Sequence, residues 1–204
     1  MKSFTLIAAL VLLASCSTHK HDHSHHHSHD HKMKHTPKFS KLGKGEKVPF
    51  SPGHDMIVHV KTEDLPDHIS VIEVLLAPKS FGAPPHIHKD EDEIFIVLDG
   101  TVHFLNGKEE VIAKKGTVAA MPRGHFHGFW NPTKKPAKMA LIVAPGHFEK
   151  FFYAVKQAVK ERKPSNPQEF GAIVAELAAQ RNVTIDMSKL PPSGLKLLPP
   201  PPKK

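Results

Sequence analysis

Cysteine is almost missing from this chain: of 204 residues, only Cys16 is a cysteine. A single thiol excludes internal disulfide staples, the usual device of small exported domains. Long apolar runs are missing too. The most hydrophobic stretch, Phe4 to Leu13, is half the roughly 20 residues that a membrane-spanning helix needs, so no transmembrane helix is expected. The body of the chain also lacks a basic excess. The formal net charge is +8, but residues 17–48 hold seven lysines against three acids, and residues 189–204 hold four lysines against none. Residues 49–188 carry 16 basic and 17 acidic side chains. Such a body offers no positive surface to a phosphate backbone, and nucleic acid is excluded as a partner.

What is present begins with an export signal. Lys2, the short apolar run and the small residues before Cys16 follow the grammar of a cleaved leader. Leu13-Ala14-Ser15-Cys16 resembles the lipobox of bacterial lipoproteins. The resemblance implies that residues 1–15 are a signal peptide, that Cys16 becomes the mature N-terminus, and that it is lipidated. The alternative is a plain secretory signal with an incidental cysteine. Ser17 in place of Asp implies delivery to the outer membrane if the host is Gram-negative. The expected location is the cell envelope, with the lipid as the only membrane contact.

Nine of the 18 histidines lie between His19 and His35, interleaved with Ser, Asp and Lys and almost no apolar residue. Residues 16–48 therefore read as a disordered His-rich linker, because they cannot bury a core. A flexible run of imidazoles can wrap additional divalent ions, and it can equally be a solvated spacer; composition leaves both readings open. Residues 189–204, with Leu190-Pro191-Pro192 and Pro199 to Pro202, suggest an extended polyproline tail.

Between the ends the pattern is all-β. Short β-rich runs at Met56–Val60, Ile69–Ala77, Glu93–Leu98, Thr101–Leu105 and Met139–Val143 are broken by turn residues, as in a sandwich or barrel over residues 49–147. Asp99-Gly100 and Asn106-Gly107 are both read as hairpin turns with antiparallel strands on either side. After Gly146 the period changes to that of helices: Phe148, Phe151, Phe152, Val155 and Val159, then Phe170, Ile173, Val174 and Leu177. This two-helix extension, residues 148–188, is expected to pack on the barrel's outside. Asn166, Pro167 and Glu169 read as the cap of its second helix.

The chemistry is concentrated in Pro85-His86-Ile87-His88-Lys89-Asp90-Glu91-Asp92-Glu93. On a strand, residues two apart share a face, with Cα atoms about 6.6 Å apart, so His86 and His88 can meet one ion. Glu93 opens the next apolar run and alternates there with Phe95 and Val97. Further on come Gly116, Pro122, Gly124, His127 and Asn131, spaced by five, one, two and three residues.

Together these two phrases resemble the paired motifs of the cupin superfamily. The first supplies His86, His88, Glu93 and Gly100, with Ser80 where the opening glycine is usual and Gly82 close by. The second matches at every fixed position. The linking Glu-Ile-Phe-Ile-Val-Leu-Asp-Gly is similar to single-domain cupins related to quercetin dioxygenases. The resemblance implies a small jelly-roll β-barrel with a C-terminal two-helix extension. It also implies one divalent transition metal (Fe, Mn, Ni, Co, Cu or Zn) held by His86, His88, Glu93 and His127, with open coordination positions. His125 shares parity with His127 and is the one further candidate near the ion. Phe95, Val97 and Phe129 are read as pocket wall or as ordinary core.

Two functions remain open at this point. One is a dioxygenase-like oxidoreductase acting on a small aromatic or enol substrate, with Glu93 as both ligand and catalytic proton acceptor. The other is a non-enzymatic surface lipoprotein that handles metal or binds a small ligand. Expected partners are that small molecule, extra metal ions on the histidine tract and, in the assembly, a second copy of the chain as a homodimer.

Overall fold

The computed structural model describes residues 35–198 apart from Pro52. Cys16, the histidines from His19 to His31, and Pro199 to Pro202 lie outside the described residues.

The strand β10 (Ala137–Ala144) shows why this chain forms sheets. Ala137, Met139, Leu141 and Val143 are buried while the residues between them are only half so, the period of two expected of a strand with one face on a core. It lies between β3 (Ser70–Leu76) and β5 (Asp92–Asp99), antiparallel to both. With β1 (Glu46–Ser51), β2 (His54–Val60) and β8 (Val118–Met121) these make a six-stranded sheet in the order β1-β2-β3-β10-β5-β8. The first strand, β1, spans the boundary read at residue 49. The second sheet has five strands, β11 (Val183–Ile185), β4 (Ser80–His88), β9 (His127–Asn131), β6 (Thr101–Asn106) and β7 (Glu109–Lys114), in that order. The inner faces share one core, in which Ile72, Val74, Phe95 and Met139 meet Val102, Phe104 and Phe129. Burying each such side chain contributes about 1.5–3 kcal/mol. The architecture is jelly-roll-like, and the five apolar runs read as strands fall on β2, β3, β5, β6 and β10.

The two turn dipeptides behave differently. Asn106-Gly107 is the hairpin expected, with Asn106 opposite Glu109 and Gly107 at φ 64°. Asp99-Gly100 is not. Its flanking strands β5 and β6 belong to opposite sheets. Gly100, at φ 75°, turns a corner between layers so tight that a Cβ there would stand 2.5 Å from the Pro136 carbonyl oxygen. Positive φ marks a sharp turn, but it does not say which sheet the next strand joins.

At the opening of the first motif, the positive φ falls on Lys79 (52°), and the Ser80 hydroxyl donates to the Ala77 carbonyl at 2.8 Å. Gly82 serves a separate need. It lies where the β4–β9 register shifts, and a Cβ would sit 2.4 Å from the Phe129 ring.

Helices α1 (Glu149–Arg162) and α2 (Pro167–Ala179) form where the period predicted. The Asn166 side chain accepts from the Glu169 amide at 2.9 Å, while the Glu169 carboxylate reaches back to the Ser165 amide at 2.7 Å, one residue before the cap. Their placement departs from expectation. Phe148, Phe151, Phe152, Val155, Val174 and Leu177 do not cover an outer face; they belong to the same core as the two sheets. Three phenylalanines need more apolar cover than a charged outer surface offers, and the mouth between the sheets supplies it. Residues 190–198 also differ from the extended tail. Pro192–Leu195 is a single helical turn, α3, and Leu190 packs on Trp130 with Leu197 and Leu198 alongside.

Candidate metal centre

His86 and His88 stand two apart on β4 and point to one side, with ring centroids 5.0 Å apart. Register does the rest: β4 pairs with β9 so that His86 lies directly opposite His127. Glu93, on β5, comes from the facing sheet. Two further contacts hold the loop before β9. The Gly124 amide donates to the His88 carbonyl at 2.8 Å, and Arg123 grips Asp92 through its backbone amide at 2.9 Å and its guanidinium at 2.8 Å. One oxygen of Glu93, Oε2, lies 2.7 Å from His127 Nε2, 3.7 Å from His88 Nε2 and 3.9 Å from His86 Nε2. All four side chains are buried, and one donor atom from each falls within 4.8 Å of the others.

The far side of each imidazole is equally ordered. His86 Nδ1 donates to the Pro84 carbonyl at 2.8 Å, His127 Nδ1 to the His125 carbonyl at 3.0 Å, and His88 Nδ1 to the Glu91 carboxylate at 3.0 Å. With Nδ1 donating, Nε2 is the nitrogen left to face an ion, and all three Nε2 atoms converge; His127 Nε2, which meets Glu93 Oε2 at 2.7 Å, would give up that hydrogen bond to it. His88 Nε2 is fully buried and has no hydrogen-bond partner. A buried orphan of this kind costs about 1–3 kcal/mol, and an ion would satisfy it. The donor set therefore fits a divalent transition metal.

Electrostatics agree at His86 and Glu93. Burial pushes His86 down to about 3, helped by the neighbouring histidines, so it stays neutral at ordinary pH. Burial acts against the Glu93 carboxylate, but the His127 hydrogen bond and the three imidazoles outweigh it and bring the group down to about 2. For His88, burial disfavours the charged ring, yet the Glu91 hydrogen bond and the Glu93 and Glu91 charges win, and its pKa is raised.

The site opens on a cavity of about 60 Å³ whose wall includes His86, Glu93 and Phe129 and is closed by Phe148, Phe151, Phe152 and Val174. Phe148 also stands edge-on to His88, with centroids 4.5 Å apart. Phe95 and Val97 are ordinary core, as one of the two readings had it. His125 does not turn its ring to the site; Nε2 lies 2.8 Å from Asn106 Oδ1, and only its backbone carbonyl serves His127. Two residues escaped sequence reasoning. Glu91 stood in the quoted phrase, three residues after His88, without a role. His54, at no motif position, is 1% exposed, faces the cavity, and has neither ring nitrogen hydrogen-bonded. His59 and His103 are paired with Glu73 and Glu110.

Residues 72–143 match the cupin domain family. Over that segment the chain resembles a cupin domain. KdgF from Halomonas sp. is similar over 56% of this chain and 99% of its own, with 17% identity and a TM-score of 0.50. A sugar phosphate isomerase of the cupin superfamily from Silicibacter pomeroyi shows 25% identity over 46% of this chain and 60% of its own, at a TM-score of 0.42. The polyketide cyclase RemF from Streptomyces resistomycificus shows 21% identity over 54% and 81%, at 0.46. The likeness to KdgF is one of fold. No curated protein matches the chain. The matched residues span β4 to β9 with most of β3 and β10, and they contain His86, His88, Glu93 and His127.

Proposed function

We propose that this cupin holds one divalent transition metal through His86, His88, Glu93 and His127 and acts on a small molecule bound in the adjoining cavity. The observation that carries the reading is the convergence of three Nδ1-locked imidazoles and one ionised carboxylate on a point beside an apolar cavity. Four protein donors leave room in the coordination sphere, and the metal would supply Lewis acidity or redox chemistry to an oxygen-bearing ligand there. The chain's own residues supply the remainder. Phe148, Phe151 and Phe152 exclude water, and Glu93, kept ionised, is the base nearest the ligand. The reaction class that this arrangement supports is a dioxygenase-like oxidation.

Export and lipidation at Cys16 complete the proposal and place the domain at the cell envelope, in the outer membrane of a Gram-negative host. The nine histidines between His19 and His35 favour a second reading, metal capture at the surface without catalysis. One experiment addresses the centre without the tract. His35–Lys204 forms a compact unit and retains β1, which a cut at residue 48 would remove. Elemental analysis of this fragment, purified without affinity metal, should find one transition-metal ion per chain, lost in a His88→Ala/Glu93→Ala double variant. A metal-free fragment that stays so after incubation with each candidate ion refutes the centre. Oxygen uptake on addition of small enols or hydroxy acids separates the oxidase-like reading from simple binding.

A further inference from the structure

His54 is the first residue of β2, and its ring is held edge-on between Phe50, at 5.3 Å, and Phe129, at 5.7 Å. Neither nitrogen is hydrogen-bonded, although the Gly82 backbone passes nearby. Apart from His86 and Glu93, the cavity wall that it shares is carbon, including Met56, Ala83, Leu141, Phe151 and Val174. A phenylalanine would fill the same place at no desolvation cost. A buried imidazole whose nitrogens lack hydrogen bonds of full geometry is costly unless the occupant of the cavity pairs with it. Burial holds the ring neutral, down to about 4 against the raising influence of Asp55 and the Gly82 backbone. It therefore presents one N–H donor and one bare nitrogen.

Size and charge narrow the occupant. A cavity of about 150 Å³ is known to hold benzene, and this one measures about 60 Å³. With α1 and α2 in place, that space suits a short aliphatic molecule better than an aromatic ring. A divalent ion and the Glu93 carboxylate leave one positive charge, which a monoanion balances; a neutral His54 cannot balance a second. We infer that His54 is the specificity-determining residue of this cavity, pairing with the hydroxyl or keto oxygen of a short hydroxy- or oxo-monocarboxylate whose carboxylate meets the metal. The inference rests on the metal reading above and names its substrate class.

The test uses the metal-loaded full chain and four probes: lactate, pyruvate, propionate and malonate. Calorimetric titration should show lactate or pyruvate bound about tenfold more tightly than propionate, which matches them in size but leaves His54 unpaired. Malonate, with a second charge, should bind more weakly than either. In His54→Phe the preference over propionate should vanish while propionate binding stays unchanged, and His54→Gln, which keeps a donor and an acceptor, should restore part of it. Circular dichroism and metal content are measured on the same samples. A wild-type chain that holds its metal yet binds lactate, pyruvate and propionate equally overturns this inference alone. So does a preference that survives in a folded, metal-loaded His54→Phe. A wild-type chain that takes up no metal overturns the metal reading and this inference with it.

Discussion

Glu91 binds no metal in this scheme, yet its removal should be felt at the ion. Its carboxylate holds the Nδ1 proton of His88 at 3.0 Å, and the His88 ring is wholly buried. In Glu91→Ala nothing nearby replaces that acceptor, so the ring loses both its fixed tautomer and the negative charge that makes Nε2 basic. Outer partners of this kind are worth about 10–100-fold in metal affinity, or about 1.4–2.7 kcal/mol. An ion binding only the folded state at a thousandfold excess over Kd stabilises by about 4 kcal/mol. The variant should therefore retain only about 1.3–2.6 kcal/mol of that gain. At about 2–4 °C per kcal/mol for a domain of this size, the metal-induced rise in Tm should shrink by roughly 3–10 °C. Melts with and without added Zn²⁺ or Mn²⁺ measure it. Glu110→Ala is the control, because His103 Nδ1 meets Glu110 at 2.5 Å in the same chemical pairing away from the centre. Equal metal shifts in wild type, Glu91→Ala and Glu110→Ala would refute the reasoning, and Glu91→Gln should fall between the first two.

Gly82→Ala should destabilise the fold by about 1–3 kcal/mol in urea unfolding, since its new Cβ meets the Phe129 ring at 2.4 Å and the Phe129 carbonyl oxygen at 2.6 Å. Acid should weaken the metal-free protein through His54. Its folded pKa of about 4 lies below the unfolded 6.5, so its share of stability is present above pH 6.5 and lost as pH falls to about 4. His54→Phe should lose about 3 kcal/mol less than wild type between pH 7 and pH 4, and parallel pH profiles would show that the ring titrates normally. Cys16→Ala should move the protein from the membrane to the soluble fraction and remove a lipid-sized mass, whereas unchanged fractionation and mass would leave an incidental cysteine.

The ligand set was legible because it is written as spacing along the chain. His86 and His88 share a strand face, and Glu93 and His127 stand at motif positions, so the fold had only to bring β9 beside β4 and face β5 to both. What orders the ligands was less legible. Two of the three Nδ1 acceptors are the backbone carbonyls of Pro84 and His125, which every residue possesses and no side-chain pattern marks. Glu91 left a faint signal, an acid three residues beyond His88, hidden in a run of four consecutive acids, Asp90 to Glu93. His54 left none. It precedes both motifs, and its burial depends on Phe129 and on aromatic residues of the C-terminal helices about a hundred positions later. Asp99-Gly100 failed for a related reason: turn chemistry is local, whereas the choice of sheet belongs to the whole topology.

The C-terminal segment bears most directly on function. Helical periodicity located α1 and α2, but an apolar stripe says only that a face is covered, not by what. Their covering the mouth of the barrel makes the stripe a wall of the cavity beside the candidate metal centre. Drug-sized ligands occupy pockets of about 300–1,000 Å³, several times the space left beneath Phe148, Phe151 and Phe152. A flavonol-sized substrate would have to displace α1, whose start is pinned by the buried Glu149 carboxylate accepting from the Thr62 amide at 3.2 Å and from its hydroxyl at 2.5 Å. A short hydroxy- or oxo-acid needs no such opening once bound, keeps water out, and gives the two idle nitrogens of His54 a partner. An aromatic substrate would need that displacement, whereas the smaller substrate class proposed for this cavity would not.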